Sequence, residues 1–123
     1  MNLTPIATGN QNVKQYFLNI ANAPINNIPA NVSFTSDVAE ISTAKVWQIQ
    51  SFLIGSDSSA KITIQQSSNG VNWDDLPNAT DIVVPQNDSV TIQGSYFSGR
   101  YMRVIYNHET ISIGSFSTIL TIQ

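Results

Sequence analysis

The residues that could make or break bonds are few, and their spacing keeps them apart. His108 is the only histidine and cysteine is absent, which removes thiolate nucleophiles, His-pair metal sites and relays built on two imidazoles. His108 falls in Asn107-His108-Glu109-Thr110, a polar tetrapeptide between two apolar stretches that reads as a hairpin turn. Asp74 and Asp75 are adjacent, and extended backbone sends neighbours to opposite faces, so their carboxylates cannot share one proton or one ion. One of them could join Asp57, Asp81 or backbone carbonyls around a loop Ca²⁺. Nothing in the spacing specifies such a site, and no metal or cofactor is assigned. No Gly-x-Ser-x-Gly elbow, phosphate loop or dinucleotide fingerprint occurs. The expectation is a protein without enzymatic activity.

Recognition chemistry is better represented. Trp73 lies between Asn72 and Asp74. An indole face with polar flanks fits a pyranose ring, and the same indole could instead cap one end of a sheet. Tyr96 and Phe97 are adjacent in a loop between Gly94 and Gly99, where two extended neighbours cannot both point inward, which leaves one of them available to a partner. Arg100 and Arg103 are interleaved with aromatic and aliphatic residues, on or near the wet face of a strand, and neither has a carboxylate partner visible in the sequence. Trp47, in the most apolar stretch, belongs to the core.

The elements that must position these groups are strands. Sustained helical periodicity is missing, while short runs of Ile, Val, Thr and aromatics recur between turn residues. Lys14–Ile20 and Val32–Thr35 open the series, with Pro24 and Pro29 marking a linker or edge segment between them. The stretch 36–43 could be a short strand or one helical turn. Lys45–Ile54 reads as a central strand. Ala60–Gln66 alternates Ile62 and Ile64 with polar residues and runs into Asn69-Gly70, a turn needing positive φ. Val71–Leu76, Asp81–Val84, Ser89–Gln93, Arg100–Tyr106 and Thr110–Ile122 follow. The apolar phase of the last shifts across Gly114-Ser115, which predicts a bend. The expected fold is all-β: an antiparallel β-sandwich or jelly roll of about eight or nine strands. Residues 1–12 form an extended N-terminal arm and residues 13–123 a single domain.

Charge narrows the partners. The chain of 123 residues has 5 basic and 8 acidic side chains, a formal net charge of −3. So few cations cannot track a phosphate backbone, which argues against nucleic acid. No stretch approaches the ~18 apolar residues of a membrane span and no basic, apolar leader opens the chain, so no membrane partner is expected. The Asn-x-Ser/Thr triplets at Asn2, Asn31, Asn78 and Asn87 are then incidental. Charged residues make up 11% of the chain, against ~25% in ordinary soluble domains. Either biased base composition or neutral polar faces that bury cheaply against subunits or sugars would produce this.

The segment Lys61–Tyr106, through Ile62-x-Ile64-Gln65-x-Ser67-x-Asn69-Gly70-x-Asn72-Trp73 and Gly99-Arg100-Tyr101-Met102-Arg103-Val104, resembles two groups. One is the discoidin-like, coagulation-factor C-type galactose-binding sandwich; the other is a set of small β-sandwich virion proteins of tailed bacteriophages. The chain is shorter than discoidin domains and lacks their terminal cysteine pair. The phage resemblance implies a capsid decoration or auxiliary head protein located in the virion, assembled in the host cytoplasm. It would be a homo-oligomer bound to the major capsid protein or other virion proteins, with Leu3, Pro5 and Ile6 of the arm as contacts. The alternative is a carbohydrate- or receptor-binding module, taking a surface glycan on Trp73, Asn72, Tyr96 and Phe97, or a neck or tail component.

Overall fold

The computed structural model describes residues 3–6, 13–20, 26–41, 46–94 and 99–123. Among them are eleven strands: β1 (Thr4–Ile6), β2 (Lys14–Phe17), β3 (Phe34–Thr35), β4 (Ala39–Glu40), β5 (Trp47–Ile54), β6 (Ala60–Ser67), β7 (Asp74–Asp75), β8 (Ile82–Val84), β9 (Ser89–Gly94), β10 (Tyr101–His108) and β11 (Ser115–Ile122). They form two antiparallel sheets. The first has the order β1-β2-β11-β5-β9; the second has β3-β10-β6-β7, with β4 also pairing β10 and β8 also pairing β6. The all-β sandwich expected from the sequence is therefore present. Its strand number exceeds eight or nine because two-residue pieces such as β4 and β7 carry too little pattern to be read from the sequence. Thr4–Ile6, expected in the arm, pairs with Gln15–Phe17 as an edge strand.

Alternation explains the two layers. β5 turns Trp47, Ile49, Ser51 and Leu53 inward, and β10 turns Met102, Val104, Tyr106 and His108 inward. Ile62 and Ile64 of β6 and Leu120 of β11 complete the buried interior. Tyr106 bridges the layers: its ring stacks on Phe116 of the first sheet at 4.1 Å between centroids and meets Phe34 at 5.6 Å. Two hydroxyls inside the core satisfy one another, Ser51 Oγ and Thr118 Oγ1 lying 3.0 Å apart on directly opposed residues of β5 and β11. At one margin Ser36 acts as a clasp. Its N–H donates to the Val104 carbonyl at 2.9 Å and its Oγ accepts the Val104 N–H at 2.8 Å.

The predicted bend before β11 is real. Ser112 bridges Ile28, and Gly114, at φ 108°, turns the chain so that the strand proper starts at Ser115. The turn changes the phase: Ile111 and Ile113 are exposed, whereas Phe116, Thr118, Leu120 and Ile122 face the core. A Cβ at Gly114 would lie 2.7 Å from both the Ile54 carbonyl oxygen and the Ser56 nitrogen. Gly55, at φ 68°, has open space around it. Replacing Gly55 with Ala should cost about 1 kcal/mol through backbone strain alone. Gly114→Ala adds a clash with backbone and should cost more, about 2 kcal/mol or above. Urea midpoints of the two variants check that order.

Candidate functional site

The outer face of the second sheet gathers the recognition residues. Strand β10 presents Tyr101, Arg103, Ile105 and Asn107 outward, and β6 presents Lys61, Thr63 and Gln65. Register places Arg103 opposite Gln65, and Gln65 opposite Asp75 of β7. The three side chains form a hydrogen-bonded row across three strands. Arg103 Nε donates to Gln65 Oε1 at 2.8 Å, and Gln65 Nε2 donates to Asp75 Oδ1 at 2.9 Å. Asp74, opposite Gln66, takes the other face, as the alternation of adjacent carboxylates requires.

Trp73 precedes β7 and is half-buried on this face. The Arg103 guanidinium carbon stands 4.2 Å from its ring centroid, a close cation–π contact. Arg103 is thus held by Gln65 at its Nε and by the indole at its plane. Burial draws its pKa down from the usual arginine value, and no carboxylate offsets that effect. It remains a cation, and among the described residues no carboxylate makes an ion pair with it.

The loop before Trp73 is built by side chains bonding backbone. Ser67 Oγ accepts the N–H of Asn69 at 3.2 Å and of Gly70 at 2.8 Å. Asn69 Oδ1 accepts the N–H of Val71 at 2.8 Å and of Asn72 at 2.9 Å. Gly70 supplies the positive φ of 76°. The Asn69-Gly70 signal therefore marks a wider capped loop between Gln66 and Asp74 instead of a two-residue hairpin. Asn72 is exposed at its tip. A shallow cleft of about 290 Å³ lies alongside, lined by Gln66, Ser67, Ser68, Asp74 and Gly99.

Arg100 is exposed and is not part of the Trp73 row. Its Nε donates to Glu40 Oε1 at 2.9 Å and its Nη2 lies 2.9 Å from the same oxygen. Hydrogen bonding to Glu40, then its charge, pushes the Arg100 pKa up. The guanidinium also lies 5.3 Å from the Tyr101 ring centroid. Leu3, Pro5 and Ile6 belong to the first sheet and its β1 edge; Leu3 packs on the core and lines a cleft of about 530 Å³ with Tyr16 and Glu40. Tyr96 and Phe97 fall outside the described residues. The sequence did not mark Gln65, Asp75 or Glu40 as partners of the arginines, because only strand register puts Gln65 and Asp75 in the Arg103 row and Glu40 beside Arg100.

His108 is not in a turn. It ends β10 on the inward phase and is fully buried. Its Nδ1 lies 3.0 Å from the Ser59 carbonyl and 3.1 Å from Ser58 Oγ. A carbonyl only accepts, so Nδ1 carries the proton and Nε2 is a bare lone pair, buried with no partner among the described residues. Asp57, one of the aspartates that could have joined a loop ion, accepts through Oδ1 from Ser112 Oγ at 2.8 Å and the Ile113 N–H at 3.2 Å. No group of three or more His, Cys, Asp or Glu that could hold a metal occurs among the described residues.

No protein-family model matches the chain, and no curated protein matches it. Among solved structures, PirA is similar at 14% identity and a TM-score of 0.52, over 93% of this chain and 96% of that one. That likeness bears on fold alone, and the fold is the same two-layer β architecture. Weaker likenesses include the module CpGH89CBM32-6 of Clostridium perfringens, at 15% identity, 94% and 95% coverage and a TM-score of 0.42. Another is the N-terminal cellulose-binding domain of Cellulomonas fimi β-1,4-glucanase C, at 10% identity, 98% and 85% coverage and a TM-score of 0.44.

Burial of neutral His108 predicts an acid-sensitive fold. Desolvation lowers its pKa below the ordinary 6.5, outweighing the Ser59 bond and the Asp57 charge, both of which raise it. The unfolded chain therefore binds the proton first, so stability falls as pH drops below about 6.5 and levels off once the folded state also protonates. Asp57, held below 3.8 chiefly by Ser112, adds a second loss as pH falls through its own folded value. Melting temperatures from pH 7.5 to 5 should decline for the wild type. His108→Gln should flatten that slope, whatever it does to the absolute Tm.

Proposed function

We propose that the protein is a non-enzymatic carbohydrate-binding β-sandwich whose ligand docks on the outer face of the second sheet, against Trp73. The observation that carries this reading is the Trp73–Arg103 contact at 4.2 Å, anchored by the Gln65–Asp75 row. It holds an indole on a sheet surface beside fixed donors and acceptors, which suits a ligand with one apolar ring face and a rim of hydroxyls. In this mode the sugar ring packs on the indole surface that Arg103 leaves, while Asn72, Asp75 and the guanidinium edge bond its hydroxyls. Trp73, Arg103, Gln65 and Asp75 are already held by one another, so little ordering cost falls on them when a ligand binds.

A second reading, a structural subunit docked on a virus shell, is favoured by the first sheet. Along β2, β11, β5 and β9 no outward-phase residue carries a charge, and Gln15, Thr121, Gln48 and Gln93 line up across the four strands. Neutral amides and hydroxyls lose less on burial than charges do.

Glycan-array screening followed by calorimetry separates the two. The wild type should retain a defined glycan, and Trp73→Ala should weaken it at least about tenfold, or ~1.4 kcal/mol. No retained glycan, or undiminished binding by Trp73→Ala, refutes the sugar reading. The shell reading instead requires the chain in purified particles at a simple ratio to the major shell subunit, measured by quantitative mass spectrometry.

A further inference from the structure

The longest bare strand edge among the described residues is that of β9. It closes the first sheet and pairs only with β5. The ladder tells which of its backbone groups are used. Leu53 N–H donates to the Asp88 carbonyl at 2.9 Å, while on the opposite side of β5 Val46 and Gln123 exchange both bonds. Antiparallel bonding alternates. The even-numbered residues of β9 therefore bond to β5, and Ser89, Thr91 and Gln93 aim N–H and C=O away from the sheet. The Ser89 N–H is taken by Asp88 Oδ1 at 2.7 Å. Among the described residues nothing bonds the outward backbone groups of Thr91 or Gln93.

Edges of this kind recruit another strand unless charge, proline or brevity blocks them. The other outer strands are blocked: β1 has three residues including Pro5, β7 is two aspartates, β3 and β4 have two residues each, and β8 has three and runs into Pro85. β9 is six residues, Ser-Val-Thr-Ile-Gln-Gly, with neither charge nor proline.

We propose that β9 is a homodimerisation edge, pairing antiparallel with β9 of a second copy about a two-fold axis at Thr91. The two five-stranded sheets would then become one continuous sheet of ten strands. The occupant is a second copy because the strand is complementary to itself in this register. Thr91 faces its own counterpart and Ser89 faces Gln93, so the residues with outward backbone groups oppose one another, as the hydrogen-bonded pairs of an antiparallel ladder require. Val90 and Ile92, at the margin of the core in one copy, come opposite one another and lengthen the apolar layer across the axis. Threonine opposite threonine is a favourable cross-strand pair. The nearest charge, Asp88, comes opposite Gly94 of the partner subunit. The two Asp88 carboxylates are then separated by six residues, about 20 Å at ~3.4 Å each, which is more than twice the ~8 Å screening length at physiological salt. The uncharged outer faces of both copies become one surface, with no like charges brought together.

Sedimentation velocity of the full chain over a concentration series tests this. The wild type should show a reversible monomer–dimer equilibrium. Thr91 is exposed and its N–H is not used by β5, so Thr91→Lys and Thr91→Glu should each fold with a wild-type circular dichroism spectrum. Each should weaken the dimer at least tenfold, because like charges then face each other across the axis. An equimolar mixture of the two should dimerise again, since opposite charges then meet. A wild type that stays monomeric throughout, a dimer that survives Thr91→Lys, or a mixture that fails to reassociate overturns the proposal. The result is independent of whether any glycan binds.

Discussion

The register of β6 against β10 is the constraint on which the rest of the molecule hangs. Eight consecutive residue pairs, from Tyr101 opposite Ser67 to His108 opposite Ala60, put Val104 beside Ile64 inside and Arg103 beside Gln65 outside. Because side chains alternate with period two, a slip of one residue would bury the guanidinium and expose the isoleucines. Burial of Met102, Val104 and Tyr106 on one side therefore fixes the polar row on the other. The surface on which recognition is proposed is a consequence of core packing.

The same coupling joins the layers. Stacking of Tyr106 on Phe116 crosses from one sheet to the other, and the Ser51–Thr118 hydroxyl pair ties β5 to β11 within the first. Against this scaffold the two outer faces differ in character. The second sheet concentrates charge and hydrogen bonding around Arg103, Gln65, Asp75 and the Lys61–Glu109 ion pair. The first presents amides and hydroxyls together with exposed Phe17 and Ile54, carries no charge on that face, and ends in the edge of β9. In the reading proposed, such a sandwich takes a ligand on its charged outer face while its neutral sheet associates through an edge.

Much of the fold was legible because β5, β6, β10 and β11 are each eight residues long, enough to make alternation unambiguous. The bend at Gly114 was legible from the phase shift of the isoleucines around it. Two-residue strands escape this kind of reading, and so did His108. A histidine flanked by Asn107 and Glu109 looks like turn material. What decides its place is the inward phase of β10 and a carbonyl at Ser59, forty-nine positions away, able to satisfy Nδ1 in the interior.

Composition and periodicity by themselves determined the class: an all-β chain with little charge, no thiols and one imidazole, carrying an aromatic beside polar groups at Trp73. Those are local properties, set by residue type and by the pitch of a strand. Tertiary structure alone decided that Arg103 lies on Trp73, that Gln65 and Asp75 anchor it, that Glu40 pairs with Arg100, and that β9 is left at an edge. Each depends on which strands become neighbours and in what register. That choice is made by the collective burial of apolar faces distant in sequence, and no local stretch of the chain encodes it.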